Sequence, residues 1–137
     1  MKPIIIANWK MNPSNSKEAF DLAGSIVKEV KGLNIEVVLC PPFVYILQFI
    51  PSDNVFIGAQ NCFWEQEGAY TGEISPQMLK NLGCTHVILG HSEPEVYLGE
   101  NMHAVNKKVK AALAAGLVPV VCVRKEQDLN DVLENIS

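Results

Sequence analysis

The 137-residue chain predicts an α/β fold in which about five parallel strands alternate with helices. Three observations predict it. Five short apolar runs recur along the chain. Helical patterns with recognisable caps separate them. The runs are continuously apolar rather than alternating, which suits strands covered on both faces, as in a parallel sheet flanked by helices.

The first run is IIIA, residues 4–7. Phe20, Ala23, Val27 and Val30 then recur at helical spacing, with Asn15 and Glu18 placed as a capping box and Gly32 as the C-terminal stop. The second run is IEVVLC, residues 35–40. Pro42 opens a very apolar helix, FVYILQFI, which Pro51 ends. The third run is VFIGA, residues 55–59. Ser75 and Pro76 pair an N-cap with a first-turn proline, and Gly83 closes that helix. The fourth run, HVIL, covers residues 86–89, and Ser92-Glu93-Pro94 begins a helix soon after. Met102, Val105, Val109, Ala112 and Leu113 form an apolar stripe that ends before Gly116. The fifth run is LVPVVCV, residues 117–123, and residues 126–136 start a further helix. No linker, low-complexity tract or domain boundary interrupts the series, so residues 1–137 read as one domain. The repetition argues for right-handed β-α-β units. Periodicity leaves open an open doubly wound sheet and a piece of a (β/α)₈ barrel. No G-x-G-x-x-G follows the first strand, which argues against dinucleotide binding.

Composition narrows the function classes. The net charge is -4 and 48% of residues are hydrophobic. Nucleic acid is a poor partner for such a chain, because phosphate binding needs clustered Lys and Arg. The dense basic group Lys107, Lys108 and Lys110 reads as the solvated face of a helix. No stretch approaches the roughly 18 apolar residues of a membrane span. The apolar N-terminal run is too short for a signal peptide, so a cytoplasmic location without membrane attachment is expected. Cys40, Cys62, Cys84 and Cys122 form no C-x-x-C pair and read as free buried thiols, with no metal site expected.

In parallel α/β folds, functional groups gather at the carboxyl ends of strands. The first strand ends in ANWKMN, where alternation puts Asn8 and Lys10 on one face. The fourth ends in Gly90-His91 at a helix start, a setting that disfavours an imidazolium and favours a neutral ring able to polarise a carbonyl oxygen. His86 and His91 face opposite ways, so they do not share a metal, and His103 reads as a surface residue. GAQN ends the third strand, and the glycines of GAYTGE allow a projecting turn in the loop that follows.

Six motifs in order, ANWKMN, CPPF, GAQN, GAYTGEISP, VILGHSE and the helix before VPVVCV, make the chain resemble the triosephosphate isomerase family. The resemblance implies a (β/α)₈ TIM barrel. It implies cofactor-free interconversion of D-glyceraldehyde 3-phosphate and dihydroxyacetone phosphate through an enediolate, a step of glycolysis and gluconeogenesis. His91 then corresponds to the neutral electrophile, and Lys10 to a positive charge near the substrate's oxygens and phosphate. Asn8 corresponds to a substrate-binding residue beside Lys10, and Glu93 to the glutamate close to Lys10. Thr71 would enter a partner subunit and brace Asn8 and Lys10 there. Glu73 would be a second dimer contact.

The chain also departs from the family. A member has roughly 250 residues, so the expected fold is an incomplete (β/α)₈ barrel, the N-terminal portion of one domain. The family's catalytic glutamate and lid follow the sixth strand and have no counterpart in these 137 residues. A homo-oligomer or a complementary C-terminal segment is the expected partner, since a barrel leaves no strand edge open. Pro94-Glu95 stands where the family has two arginines, and Arg124-Lys125 where it has Gly-Glu. A Glu95–Lys125 pair of reversed sign is expected from that exchange, and Pro94 removes an arginine that pairs with the residue matching Glu73. Two other readings follow: a non-catalytic half-barrel assembly or interaction module, and a self-assembled half-barrel using a carboxylate such as Glu100 as its base.

Overall fold

A computed structural model describes residues 2–49 and 51–136. The strands are β1 (Ile4–Asn8), β2 (Glu36–Cys40), β3 (Val55–Ala59), β4 (His86–Leu89) and β5 (Val118–Val121). The helices are α1 (Ser16–Val30), α2 (Pro76–Asn81), α3 (Ser92–Leu98), α4 (Met102–Ala114) and α5 (Glu126–Leu133), with a 3₁₀ helix at Phe43–Gln48. The expected caps form: Asn15 Oδ1 accepts from Glu18 N–H at 3.0 Å, and Ser75 Oγ accepts from Met78 N–H at 3.2 Å ahead of Pro76.

All strand pairs are parallel and the sheet order is β1-β2-β3-β4-β5. This order decides between the two architectures left open by periodicity. A doubly wound sheet reverses its order at a switch point and carries helices on both faces. Strictly sequential order with crossovers of one hand puts every helix on one face and curls the sheet toward a barrel. The packing agrees. Val37, Leu39, Ile57, Val87 and Leu89 point outward and pack with Ala23, Leu79, Val105, Val109 and Val132 of the helices. The other face carries a separate, smaller cluster of Val38, Cys40 and Ile88 with Ile6, Phe56 and Val120. The fold is an incomplete (β/α)₈ barrel, with β1 and β5 as its outer strands.

Several expectations need correction. The apolar runs of β1 and β5 are not covered on both faces. Ile4, Ile5 and Val118 are each about half exposed, because these strands have a neighbour on one side only. The strand of residues 117–123 shortens to Val118–Val121, although Cys122 N–H still donates to Leu89 O. The apolar segment after Pro42 is a 3₁₀ turn in which Tyr45 N–H reaches Pro42 O at 3.0 Å. Its Ile46 is buried, but Val44 and Leu47 face solvent, and Ile50 lies outside the described residues. Phe20, placed in the apolar stripe of α1, is also largely exposed.

Lys108 is the largest correction. It is not on a solvated face but 6% exposed. Its Nζ donates to Asn61 Oδ1 at 2.9 Å and forms an ion pair with the buried Glu100. Lys107 lies over the Trp64 ring, 5.2 Å from its centroid. The expected Glu95–Lys125 pair does not form. Arg124 takes Glu95, and Lys125 lies 3.9 Å from Asp128 one turn into α5. The four cysteines are free. Burial pushes the Cys40 and Cys62 thiols up to about 12 and Cys84 to about 11, so none of the three is a ready thiolate.

Candidate active site

The carboxyl ends of β1, β3 and β4 build one cleft of ≈ 460 Å³ whose lining includes Asn8, Lys10, Gln60, Asn61, His91 and Glu93. Each strand delivers its residue by a different local device. Asn8 is the last residue of β1 and stands opposite Cys40. Trp9 N–H then donates to Cys40 O at 3.0 Å, and its ring turns out to meet Phe49 edge-on at 5.4 Å. Lys10 leaves strand geometry altogether, with φ 55. Alternation therefore does not reach Lys10, and the sequence reasoning that paired it with Asn8 holds for another reason. Lys10 N–H donates to Asn8 Oδ1 at 2.9 Å. A left-handed backbone costs a non-glycine residue about 1–2 kcal/mol, and such residues concentrate at functional sites.

Gly90 makes the second device possible. Its φ is 71, and a Cβ there would come within 3.0 Å of Cys122 O. The chain turns sharply from β4 into α3, and His91 becomes the N-cap of that helix. Glu93 N–H points at His91 Nδ1 at 3.5 Å, and the Glu93 carboxylate also touches that nitrogen. The two contacts make opposite demands. The amide calls for a lone pair on Nδ1 and the carboxylate for a proton. Either way Nδ1 is occupied, which leaves Nε2 as the ring nitrogen for a ligand. Pro94, in the first turn of α3, costs no hydrogen bond, since first-turn amides have no partner within the helix.

Glu93 ties the two devices together. Its Oε1 accepts from Lys10 Nζ at 2.6 Å across 83 residues of sequence. That hydrogen bond, assisted by the charge of Lys10, holds its carboxyl below the ordinary carboxylate value. Among the described residues lining the cleft, Glu93 is the one carboxylate, and it is already engaged. Glu100 does not enter the cleft. It is buried against Lys108, so it is not the carboxylate that a self-assembled half-barrel would use as a base. Thr71 and Glu73 lie exposed in the loop after β3 and are not among the residues lining the cleft. His86 lies below the site on the inner face of β4, beside Phe56, and burial lowers its pKa.

The roles of Gln60 and of the Asn61–Lys108–Glu100 cluster are not read from the sequence motifs. A signal existed for Lys108. Val105, Lys108, Val109 and Ala112 occupy i, i+3, i+4 and i+7, so the lysine sits within the apolar stripe.

The sequence model of the triosephosphate isomerase family matches residues 3–135 of the chain. The chain belongs to the triosephosphate isomerase family. The triosephosphate isomerase of Alkaliphilus oremlandii is 48% identical, over 99% of this chain and 57% of its own length. That of Thermoanaerobacter sp. (strain X514) is 50% identical, over 89% of this chain and 50% of its own. The crystal structure of triosephosphate isomerase from Bartonella henselae superposes with a TM-score of 0.83 at 36% identity, covering 98% of this chain and 58% of that one. The chain thus spans about half the length of the curated relatives it matches. Among the described residues, no helix is long and apolar enough to cross a membrane.

Proposed function

We propose that the cleft binds a triose phosphate and that the chain is the N-terminal portion of a triosephosphate isomerase domain. One observation carries the reading. Residues from two strand ends, 83 positions apart, meet as a linked set in which Lys10, held at a left-handed backbone, bonds Glu93 beside His91. In this reading Lys10 supplies a positive charge for the substrate's phosphate and oxygens. Asn8 binds beside it, and Glu93 sets the position of the ammonium. His91 polarises the carbonyl from Nε2, where negative charge develops during proton abstraction. This role requires the tautomer with its proton on Nε2, which the Glu93 amide at Nδ1 favours and the Glu93 carboxylate there opposes.

A base for the carbon-bound proton is also required. Glu93 is committed to Lys10 and His91, so the base comes from a complementary C-terminal segment, joined or separate. The exposed edges of β1 and β5 support this, as does the doubled length of the relatives. Thr71 and Glu73, exposed on their loop, would contact a second copy in a homodimer, and Thr71 would brace Asn8 and Lys10 from there. A cytoplasmic setting accords with the substrate. The test is isomerisation of D-glyceraldehyde 3-phosphate by the chain, alone and with the family's C-terminal half added, beside His91→Gln. Turnover that needs His91 supports the reading. Binding of a protein partner with no affinity for triose phosphate would favour the interaction-module alternative.

A further inference from the structure

We infer that Gln60 is a positioning residue that holds Lys10 in the conformation its role requires. The inference rests on the triose phosphate reading of the cleft for its functional meaning, but its geometry stands apart from that reading. Gln60 follows β3 directly, and its Nε2 donates to Lys10 O and to Cys40 O, both at 2.8 Å. A primary amide has two N–H donors, and both are used. The orientation of the amide is therefore unambiguous, since turning it over would set Oε1 against two carbonyl oxygens. One planar group thus ties the end of β3 to the end of β2 and to the loop after β1.

The consequence falls on Lys10. Its N–H is held by Asn8 and its carbonyl by Gln60, so both of its peptide groups are fixed. A lysine at φ 55 has lower-energy conformations nearby, all at negative φ. Moving to one of them would swing the carbonyl off Nε2 and carry the ammonium away from Glu93. Asn8 alone does not prevent this, because it holds only the nitrogen side. Gln60 holds the other side, and it does so without reaching the ammonium itself. Loss of one neutral hydrogen bond shifts such an equilibrium by up to roughly tenfold. The apparent affinity for a ligand falls by the same factor as the competent fraction.

The experiment uses the whole chain with ¹³C-labelled glutamate, as wild type, Gln60→Met, Gln60→Asn and Lys10→Met. Met keeps the length and removes both donors. Asn keeps the donors but is one methylene too short to span two carbonyls, and it serves if Met does not fold. The first readout is the Glu93 carboxyl titration, which reports the Lys10 hydrogen bond. In wild type it lies below the ordinary value. In either Gln60 variant it rises toward the Lys10→Met value. A titration unchanged from wild type overturns the inference. The second readout is the calorimetric affinity for dihydroxyacetone phosphate. Gln60→Met weakens it by up to about tenfold, and adds less than about twofold once Lys10 is already Met. Equal losses on both backgrounds would make Gln60 a structural residue only and overturn the inference. If wild type binds no triose phosphate, the reading of the cleft fails, while the Glu93 titration still decides the role of Gln60.

Discussion

Replacing Lys108 by Met is expected to destabilise the chain far more than a helix lysine ordinarily would. The side chains of Lys108 and Glu100 are 7% and 8% exposed and face each other. Glu100 Oε2 is buried and has no hydrogen-bond partner among the described residues. The ammonium is thus the group that makes burial of this carboxylate tolerable, and it also holds Asn61 Oδ1 at the edge of the cleft. Removing one partner of a buried ion pair costs about 3–5 kcal/mol, because the other charge is left uncompensated. That is a large part of the 5–15 kcal/mol typical of a whole domain. Two comparisons isolate the cause. Lys107→Met, the neighbouring residue lying over Trp64, loses a partly exposed cation–π contact of about 0.5–1 kcal/mol. The double variant Lys108→Met/Glu100→Gln removes both charges and regains most of the loss. Urea denaturation followed by circular dichroism measures all three. A Lys108→Met variant within about 1 kcal/mol of wild type would refute the buried-pair argument.

Three further outcomes follow from the packing and electrostatics. Gly58→Ala places a Cβ 2.6 Å from Cys40 Sγ and 2.9 Å from Val38 Cγ1. It should cost about 1–3 kcal/mol in the same denaturation assay, and less in a Cys40→Ala background. A double-mutant cycle between Glu95 and Arg124 should give a coupling of about 0.2–1 kcal/mol, as for other surface pairs, while a Glu95–Lys125 cycle gives none. Stability should also depend on pH through His86. Burial lowers its folded-state pKa below the ordinary 6.5, so the unfolded chain binds more protons as the pH falls. The contribution of the neutral ring is complete above about pH 6.5 and is lost progressively below it. His86→Phe should flatten that part of the stability profile, and an unchanged slope would contradict the assignment.

Local signals were the legible ones. The capping box at Asn15 and Glu18, the Ser75-Pro76 start and the VFIGA and HVIL strands are specified within a few residues, and the structure places them as expected. The expectations that failed depended on distant groups. Nothing near Lys108 in sequence announces that Asn61 lies 47 positions away at its ammonium. Arg124 rather than Lys125 reaches Glu95, and the Lys125 side chain runs to Asp128 instead. The conformation of Lys10 was hidden for a related reason. Alternation assumes an extended chain, and the left-handed turn at Lys10 is held by the side chains of Asn8 in β1 and of Gln60 just after β3.

The most direct test of the account is calorimetric titration of the chain with dihydroxyacetone phosphate, for wild type and Lys10→Met side by side. The account predicts saturable binding to wild type and a markedly weaker, still measurable affinity in Lys10→Met, with both proteins folded by circular dichroism. Equal binding to the two, or none to a folded wild type, would contradict the claim that this cleft is a triose phosphate site.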